Sequence, residues 1–277
     1  MRPGEFFGFL GPNGAGKTTT IRMLTTLLRP SRGTAVVAGR DVEADPLGVR
    51  RQIGLVFQET TLDGDLTAEE NLRFVARLYG LSRSETAARV TEALDLFGLT
   101  ERRGDQVRSF SGGMRRALDL ARGILHRPSI LFLDEPTLGL DPGQRRRIWE
   151  FLRRVCDESE TTLFLTTHYL EEADDCDRVA IVDHGRVIAL DSPSSLKRKL
   201  GQEIVELAGG RPDELAARVR ELTGLEPLHT ERGVSLTVAD AEPVLAVLLP
   251  LTRSGVQVRV NPPTLDDVFV SLTEAGR

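Results

Sequence analysis

The sequence predicts an α/β fold: a mixed, mainly parallel sheet carrying an inserted helical subdomain, followed by a small C-terminal α/β domain. Three observations carry this. Short apolar runs bounded by turn residues alternate with segments of helical period, the pattern of a parallel sheet covered on both faces. The stretch from about 67 to 125 has helical period throughout. Near residue 200 the texture changes, and strand and helix patterns resume in shorter elements.

Taken in order, Phe6 to Leu10 is an apolar run ending at a glycine and reads as a buried strand. Thr18 to Leu28 follows as a helix stopped by Arg29-Pro30. Thr34 to Ala38 and Ile53 to Phe57 have strand character. In the helical stretch, Leu72, Val75, Ala76, Leu78 and Tyr79 share helical spacing, as do Val90, Ala93, Leu94 and Phe97. Thr67 followed by Glu70 is a capping-box pattern. Ile130 to Leu133 and Thr162 to Thr166 read as strands, with a helix at Arg145 to Cys156 between them. Val179 to Val182 and Val187 to Ala189 form a hairpin around His184-Gly185. Beyond it, Glu203 to Leu207, Val234 to Val238 and Val256 to Val260 read as strands. Pro212 to Leu222 and Ala241 to Leu251 read as the helices between them. The expected domains are therefore 1–200 and 201–277, joined through Ser192 to Leu200.

A chain of 277 residues is long enough for a buried core without covalent staples. With 40% hydrophobic and 28% charged residues it fits a soluble globular protein. No apolar run approaches the ~20 residues of a membrane helix, and the longest candidate, Val244 to Leu251, holds Pro250. The first residues lack a secretory signal pattern. Two cysteines, Cys156 and Cys176, exclude a disulfide framework. A cytoplasmic location is expected. The net charge of −5 disfavours a nucleic-acid coat, so no nucleic-acid partner is expected. Lysine occurs only at 17, 197 and 199, which makes Lys17 stand out among the arginines.

The strongest chemical signal is Gly11-Pro12-Asn13-Gly14-Ala15-Gly16-Lys17-Thr18-Thr19. It satisfies the phosphate-loop pattern and has a strand before it and a helix after it. Glycines let the backbone curl so that several N–H groups point at a phosphate, and the helix N-terminus adds partial positive charge. Lys17 would bridge the outer phosphates and Thr18 would bind Mg²⁺ through its hydroxyl. The second signal is Ile130 to Leu133 followed by Asp134-Glu135, two carboxylates at the C-terminal end of a buried strand, where α/β sheets bind ligands. Asp134 would hold Mg²⁺ through water and Glu135 would polarise the attacking water. Together the two signals indicate a nucleoside triphosphatase.

Ser111-Gly112-Gly113-Met114, opening a helix to Leu125, offers N–H groups and a hydroxyl to an anion. At this point the sequence resembles the ATP-binding cassette (ABC) family, whose signature motif is matched by Phe110 to Ala121, with Phe110 in place of the usual leucine. Gln58 matches the family's Q-loop glutamine, Asp134 to Pro142 its magnesium strand and D-loop, and His168 its switch histidine. The motifs fall in family order over roughly residues 3 to 200.

The resemblance implies an ATPase of P-loop NTPase fold with ATP as nucleotide and Mg²⁺ as cofactor. It implies Lys17, Glu135 and His168 as catalytic residues and Thr18, Gln58 and Asp134 as metal ligands. It also implies a head-to-tail homodimer sandwiching two ATP molecules. Ser111 and Gly113 of one copy would contact the γ-phosphate held by the other, and Asp141 would face the partner. The helical subdomain would receive a coupling helix of a separate integral-membrane permease near Glu59 to Asn71, placing the chain at the inner face of the membrane. The C-terminal domain, ending Pro263-Thr264-Leu265-Asp266-Asp267-Val268-Phe269, resembles that of daunorubicin/doxorubicin-resistance exporter ATPases. By itself the same segment also reads as a helix cap.

Relative to the family, the segment before Arg2-Pro3-Gly4-Glu5 is short, and no aromatic residue that could stack on adenine precedes Phe6. A late gene start or a reduced β-subdomain follows as an expectation, with weak nucleotide affinity, unpaired sheet edges and poor solubility. The competing readings are a soluble cassette acting on ribosomes or DNA and a regulatory cassette. A single cassette without sustained heptads disfavours the first, and the intact Lys17, Asp134, Glu135 and His168 disfavour the second.

Overall fold

Strand β1 (Phe6–Leu10) is buried at every residue because it has a parallel strand on each side and helices above and below. It lies inside a six-stranded sheet in the computed structural model, which describes residues 1–200, 203–209, 211–230, 233–252 and 255–274. After β1 come α1 (Lys17–Leu24), a two-stranded ribbon of β2 (Val36–Val37) and β3 (Arg40–Asp41), α2 (Pro46–Gln52) and β4 (Ile53–Val56). The helical stretch holds α3 (Ala68–Leu78), α4 (Arg83–Leu96) and α5 (Gly112–Ile124). Then follow β5 (Ile130–Asp134), α6 (Pro142–Ser159), β6 (Thr162–Thr167), β7 (Arg178–Asp183) and β8 (Arg186–Asp191). The sheet order is β4-β5-β6-β1-β7-β8, with the first four pairings parallel.

Register puts Phe7, Phe132 and Phe164 on one face and Leu131, Leu133, Leu163 and Leu165 on the other. Phe7, Phe164 and Phe132 are direct neighbours across three strands, and their rings meet at centroid distances of 5.7 and 5.3 Å. Ile21 of α1 and Val49 of α2 close over this face. On the opposite face Phe6 stacks on Trp149 of α6 at 5.2 Å. The period-2 alternation of large apolar groups is what fixes the pairing.

The helical segment forms as its caps direct. Thr67 Oγ1 accepts from Glu70 N while Glu70 Oε2 accepts from Thr67 N, and Ser82 and Glu85 repeat the arrangement on α4. Some elements differ from the expectation. The first helix ends at Leu24 rather than Leu28, because Thr25 turns its hydroxyl onto Ile21 O and Thr26 takes a left-handed backbone (φ 65°). Thr34 to Ala38 shrinks to the two residues of β2, closed onto β3 by a turn with positive φ at Ala38 and Gly39. Helix α2 was not anticipated, although Asp45-Pro46 is a cap followed by proline at the first helical position.

The chain divides into Met1–Leu190 and Asp191–Arg277, not at residue 200. The reason lies in α7 (Pro193–Leu200), which packs with the final helix α10 (Leu265–Glu274). Between them run β9 (Glu203–Ala208), α8 (Pro212–Thr223), β10 (Leu228–Thr230), β11 (Gly233–Val238), α9 (Ala241–Thr252) and β12 (Gln257–Asn261). This is a βαββαβ unit whose antiparallel sheet runs β10-β11-β9-β12, the split-βαβ arrangement. Val205, Leu207, Val234 and Leu236 face α8 and α9 in its core. The segment read as either a family mark or a cap does form a cap: Thr264 and Asp267 exchange hydrogen bonds at the start of α10. Among the described residues, no helix is long and apolar enough to cross a membrane.

Phe164 joins three other rings at the centre of the sheet, so Phe164→Ala should cost about 3–5 kcal/mol. Denaturant unfolding followed by Trp149 fluorescence, the only tryptophan, measures it.

Candidate nucleotide site

The strand register also places the chemistry. Leu10 pairs with Thr167, Asp134 with Thr166, and Val56 with Leu133, so the loops that follow β1, β4, β5 and β6 leave the sheet at one edge. The loop after β1 wraps tightly. A Cβ on Gly11 would lie 2.2 Å from Val182 O, so only glycine fits there. Gly14 and Gly16 have φ of 84° and 100°, left-handed values that curl the chain ahead of α1. Gly16 caps α1 without a side-chain bond, which leaves the first helical N–H groups for an anion.

Lys17 is 6% exposed. Its Nζ donates to Gly11 O at 2.8 Å and Pro12 O at 3.2 Å, and stands 3.6 Å from Glu135 Oε1. Thr18 Oγ1 lies 3.3 Å from Asp134 Oδ1, which also accepts from Thr166 Oγ1 at 2.6 Å. Glu135 holds a left-handed backbone (φ 48°), a strain of order 1–3 kcal/mol for a non-glycine residue. Its N–H donates to Thr166 O at 3.0 Å, and its Oε2 lies 3.1 Å from His168 Nδ1. Asn13, Gly14, Gly16, Lys17, Thr18, Thr19, Gln58, Glu135, Leu138 and His168 line one cleft of ≈ 390 Å³.

The donor set fits a Mg-triphosphate. Thr18 and Asp134 are hard oxygen donors close enough for one small cation to take both, and Gln58 adds an amide oxygen at the same cleft. Among the described residues no group of three or more His, Cys, Asp or Glu could hold a metal, so a cation here would rely on phosphate and water oxygens for its other ligands. The glycine cradle and the inward Lys17 supply the anion side.

Ser111, Gly112, Gly113 and Asp141 are not brought to this cleft. Ser111 caps α5, its Oγ accepting from Met114 N, and its surface is open to solvent. A Cβ on Gly113 would press on the Gln144 side chain at 2.9 Å. Asp141 caps α6 by accepting from Gln144 N, a local task that the motif reading did not include. Two further residues were missed. Thr166 clamps both Asp134 and the Glu135 amide, and its signal was the Thr166-Thr167 step before His168. Glu172 accepts from Thr137 at 2.7 Å and from Thr167 at 3.4 Å, joining the segments after β5 and β6, and no pattern marked it.

Comparison with known proteins points the same way. The ABC transporter family model matches residues 1–138. The chain is 43% identical to the daunorubicin/doxorubicin resistance ATP-binding protein DrrA of Streptomyces peucetius, over 98% of this chain and 84% of that one. It is 42% identical to the Nod factor export ATP-binding protein I of Cupriavidus metallidurans, covering 99% and 89%. It is 35% identical to the linearmycin resistance ATP-binding protein LnrL of Bacillus subtilis, covering 99% and 91%. Among solved structures it is similar to an ATP-binding subunit of an ABC transporter (TM-score 0.63, 34% identity, 72% of this chain and 82% of that one). It is also similar to a dimeric post-hydrolysis ATP-binding cassette bound to ADP and phosphate (TM-score 0.63, 26% identity, 69% and 87%).

Thr166→Val keeps the shape of a fully buried side chain but removes the bond that orients Asp134. The Mg²⁺ concentration needed for half-maximal nucleotide binding should rise about 10-fold, read by titration with a fluorescent ATP analogue.

Proposed function

The chain belongs to the ATP-binding cassette family, and from that premise we propose that it is the ATP-hydrolysing subunit of an exporter of the drug- and antibiotic-resistance type. It would act as a head-to-tail homodimer around two Mg-ATP, driving a separate membrane permease from the inner face of the cell membrane. The observation that supports this reading most is the convergence of Lys17, the Thr18–Asp134 pair, Gln58 and the Glu135–His168 pair on one cleft. The resistance and export relatives match nearly the full chain, C-terminal domain included, which favours transport over a ribosomal or DNA role.

In this reading the curled backbone at Gly14 and Gly16 and the α1 N-terminus take the phosphates, and Lys17 neutralises charge on the outer ones. Thr18, Gln58 and Asp134 would hold Mg²⁺, which neutralises phosphate charge when bound. Glu135 accepts a hydrogen bond from the attacking water and aligns it with phosphorus, and His168 fixes the Glu135 carboxylate. Phosphoryl transfer needs positioning and charge neutralisation more than covalent chemistry, and these residue types supply both. Ser111 and Gly113 stand away from their own cleft, so they would complete the site of a second copy.

Lys17→Ala should remove measurable ATP hydrolysis, and turnover at the parental rate would refute the phosphate-loop role. Glu135→Gln should bind Mg-ATP with near-parental affinity yet slow a single turnover about 10²–10³-fold, measured by rapid quench.

A further inference from the structure

The buried guanidinium of Arg116 has none of the roles above. Arg116 sits on α5, the helix that Ser111 caps, and is 7% exposed. Its Nε donates to Pro136 O at 2.6 Å and its Nη1 to Phe57 O at 2.5 Å. Its Nη2 reaches Glu135 O at 3.3 Å and Asp134 O at 3.5 Å. One planar fork therefore joins two loops. Phe57 immediately precedes Gln58, Asp134 and Glu135 carry the two carboxylates, and Pro136 opens the loop toward Asp141.

The surroundings hold the fork in place. Asp119, fully buried, stands 3.5 Å from Arg116 Nη1 and 2.7 Å from Arg122 Nη2. Arg122 in turn donates to Thr61 O at 3.1 Å. Burial lowers the Arg116 pKa, opposed by the charges of Asp119 and Asp134, and burial raises that of Asp119, opposed by Arg122 and Arg116. A buried charge of this kind is a poor source of net stability, and what the fork fixes is geometry. Glu135 is held from both sides of its left-handed backbone: Thr166 takes its N–H, and Arg116 takes its carbonyl.

We propose that Arg116 is a positioning residue that ties the backbones of Glu135 and the Gln58 loop to helix α5, so that contact of Ser111 with the ATP of a second copy sets the catalytic geometry of its own site. The inference rests on the dimeric ATPase reading above. It makes α5 a rod with the partner's nucleotide at its capped end and its own carboxylate on its flank. Lysine cannot replace the arginine, because a single ammonium cannot span carbonyls from both loops.

The test is Arg116→Lys in the full chain. Its melting temperature should stay near the parent's. Amide exchange in the nucleotide-free protein should quicken in segments 57–61 and 134–138. ATP turnover should fall about 10²-fold in kcat with KM within about threefold. Unchanged exchange at 134–138, unchanged kcat, or a loss of kcat, KM and melting temperature together would overturn the proposal. Quickened exchange beside a parent that hydrolyses no ATP would support the tie and count against the ATPase reading instead. If Arg116→Lys does not fold, Arg116→Met is measured in the same way, and failure of both to fold would assign Arg116 to the core and overturn the proposal.

Discussion

Leu10, Val56, Asp134 and Thr167 reach one edge of the sheet because β4, β5, β6 and β1 share a parallel register. That register is imposed by packing. Phe7, Phe132 and Phe164 must stay together beneath α1 and α2, while Phe6 meets Trp149 on the other side. A slip of one residue would exchange the two faces and bury a ring set where leucines fit. The phosphate loop, the paired carboxylates, Gln58 and His168 follow those strand ends and inherit their alignment. The proposed chemistry is thus set by an apolar interaction that takes no part in it.

The same edge gathers buried charge. Lys17 is 6% exposed and Asp134 2%, and both are held by backbone carbonyls, hydroxyls or each other's neighbours. Groups fixed in this way need little rearrangement when a charged ligand arrives, which is the basis of electrostatic preorganisation. The left-handed backbone at Glu135 belongs to the same economy of motion. Its cost is sustained by Thr166 on the amide and Arg116 on the carbonyl. A relaxed loop there would leave the carboxylate free to turn away from His168.

Much of this was legible in the sequence. The strands and helices that period and caps announce lie within a few residues of their expected bounds, because those are local signals, while β3, β10, α2 and α7 carried too few periodic residues to be read. Gly11 to Thr19 and Asp134-Glu135 stand out by residue type at strand ends, whereas Gln58 and His168 carry no mark of their own and enter only through the family resemblance. Helix α1 was overextended because the hydroxyl of Thr25 competes for a helical carbonyl, an interaction period alone does not express. The boundary moved from 200 to 190 because α7 packs with α10, distant in sequence. Thr166, Glu172 and Arg116 escaped notice for a similar reason. Their partners lie on other strands and loops, and a threonine, a glutamate or an arginine in a polar-looking stretch carries no mark of what it will touch.

Under the proposed function one copy holds an incomplete site. The cleft gathers most of the proposed ATP ligands, from Asn13 to His168, whereas Ser111, Gly112, Gly113 and Asp141 stand elsewhere on the same chain. The most direct measurement is the mass of Glu135→Gln by light scattering after size exclusion, with and without saturating Mg-ATP. The mass should be that of a monomer without nucleotide and twice that with it. A monomer under both conditions would rule out a site completed by a second copy.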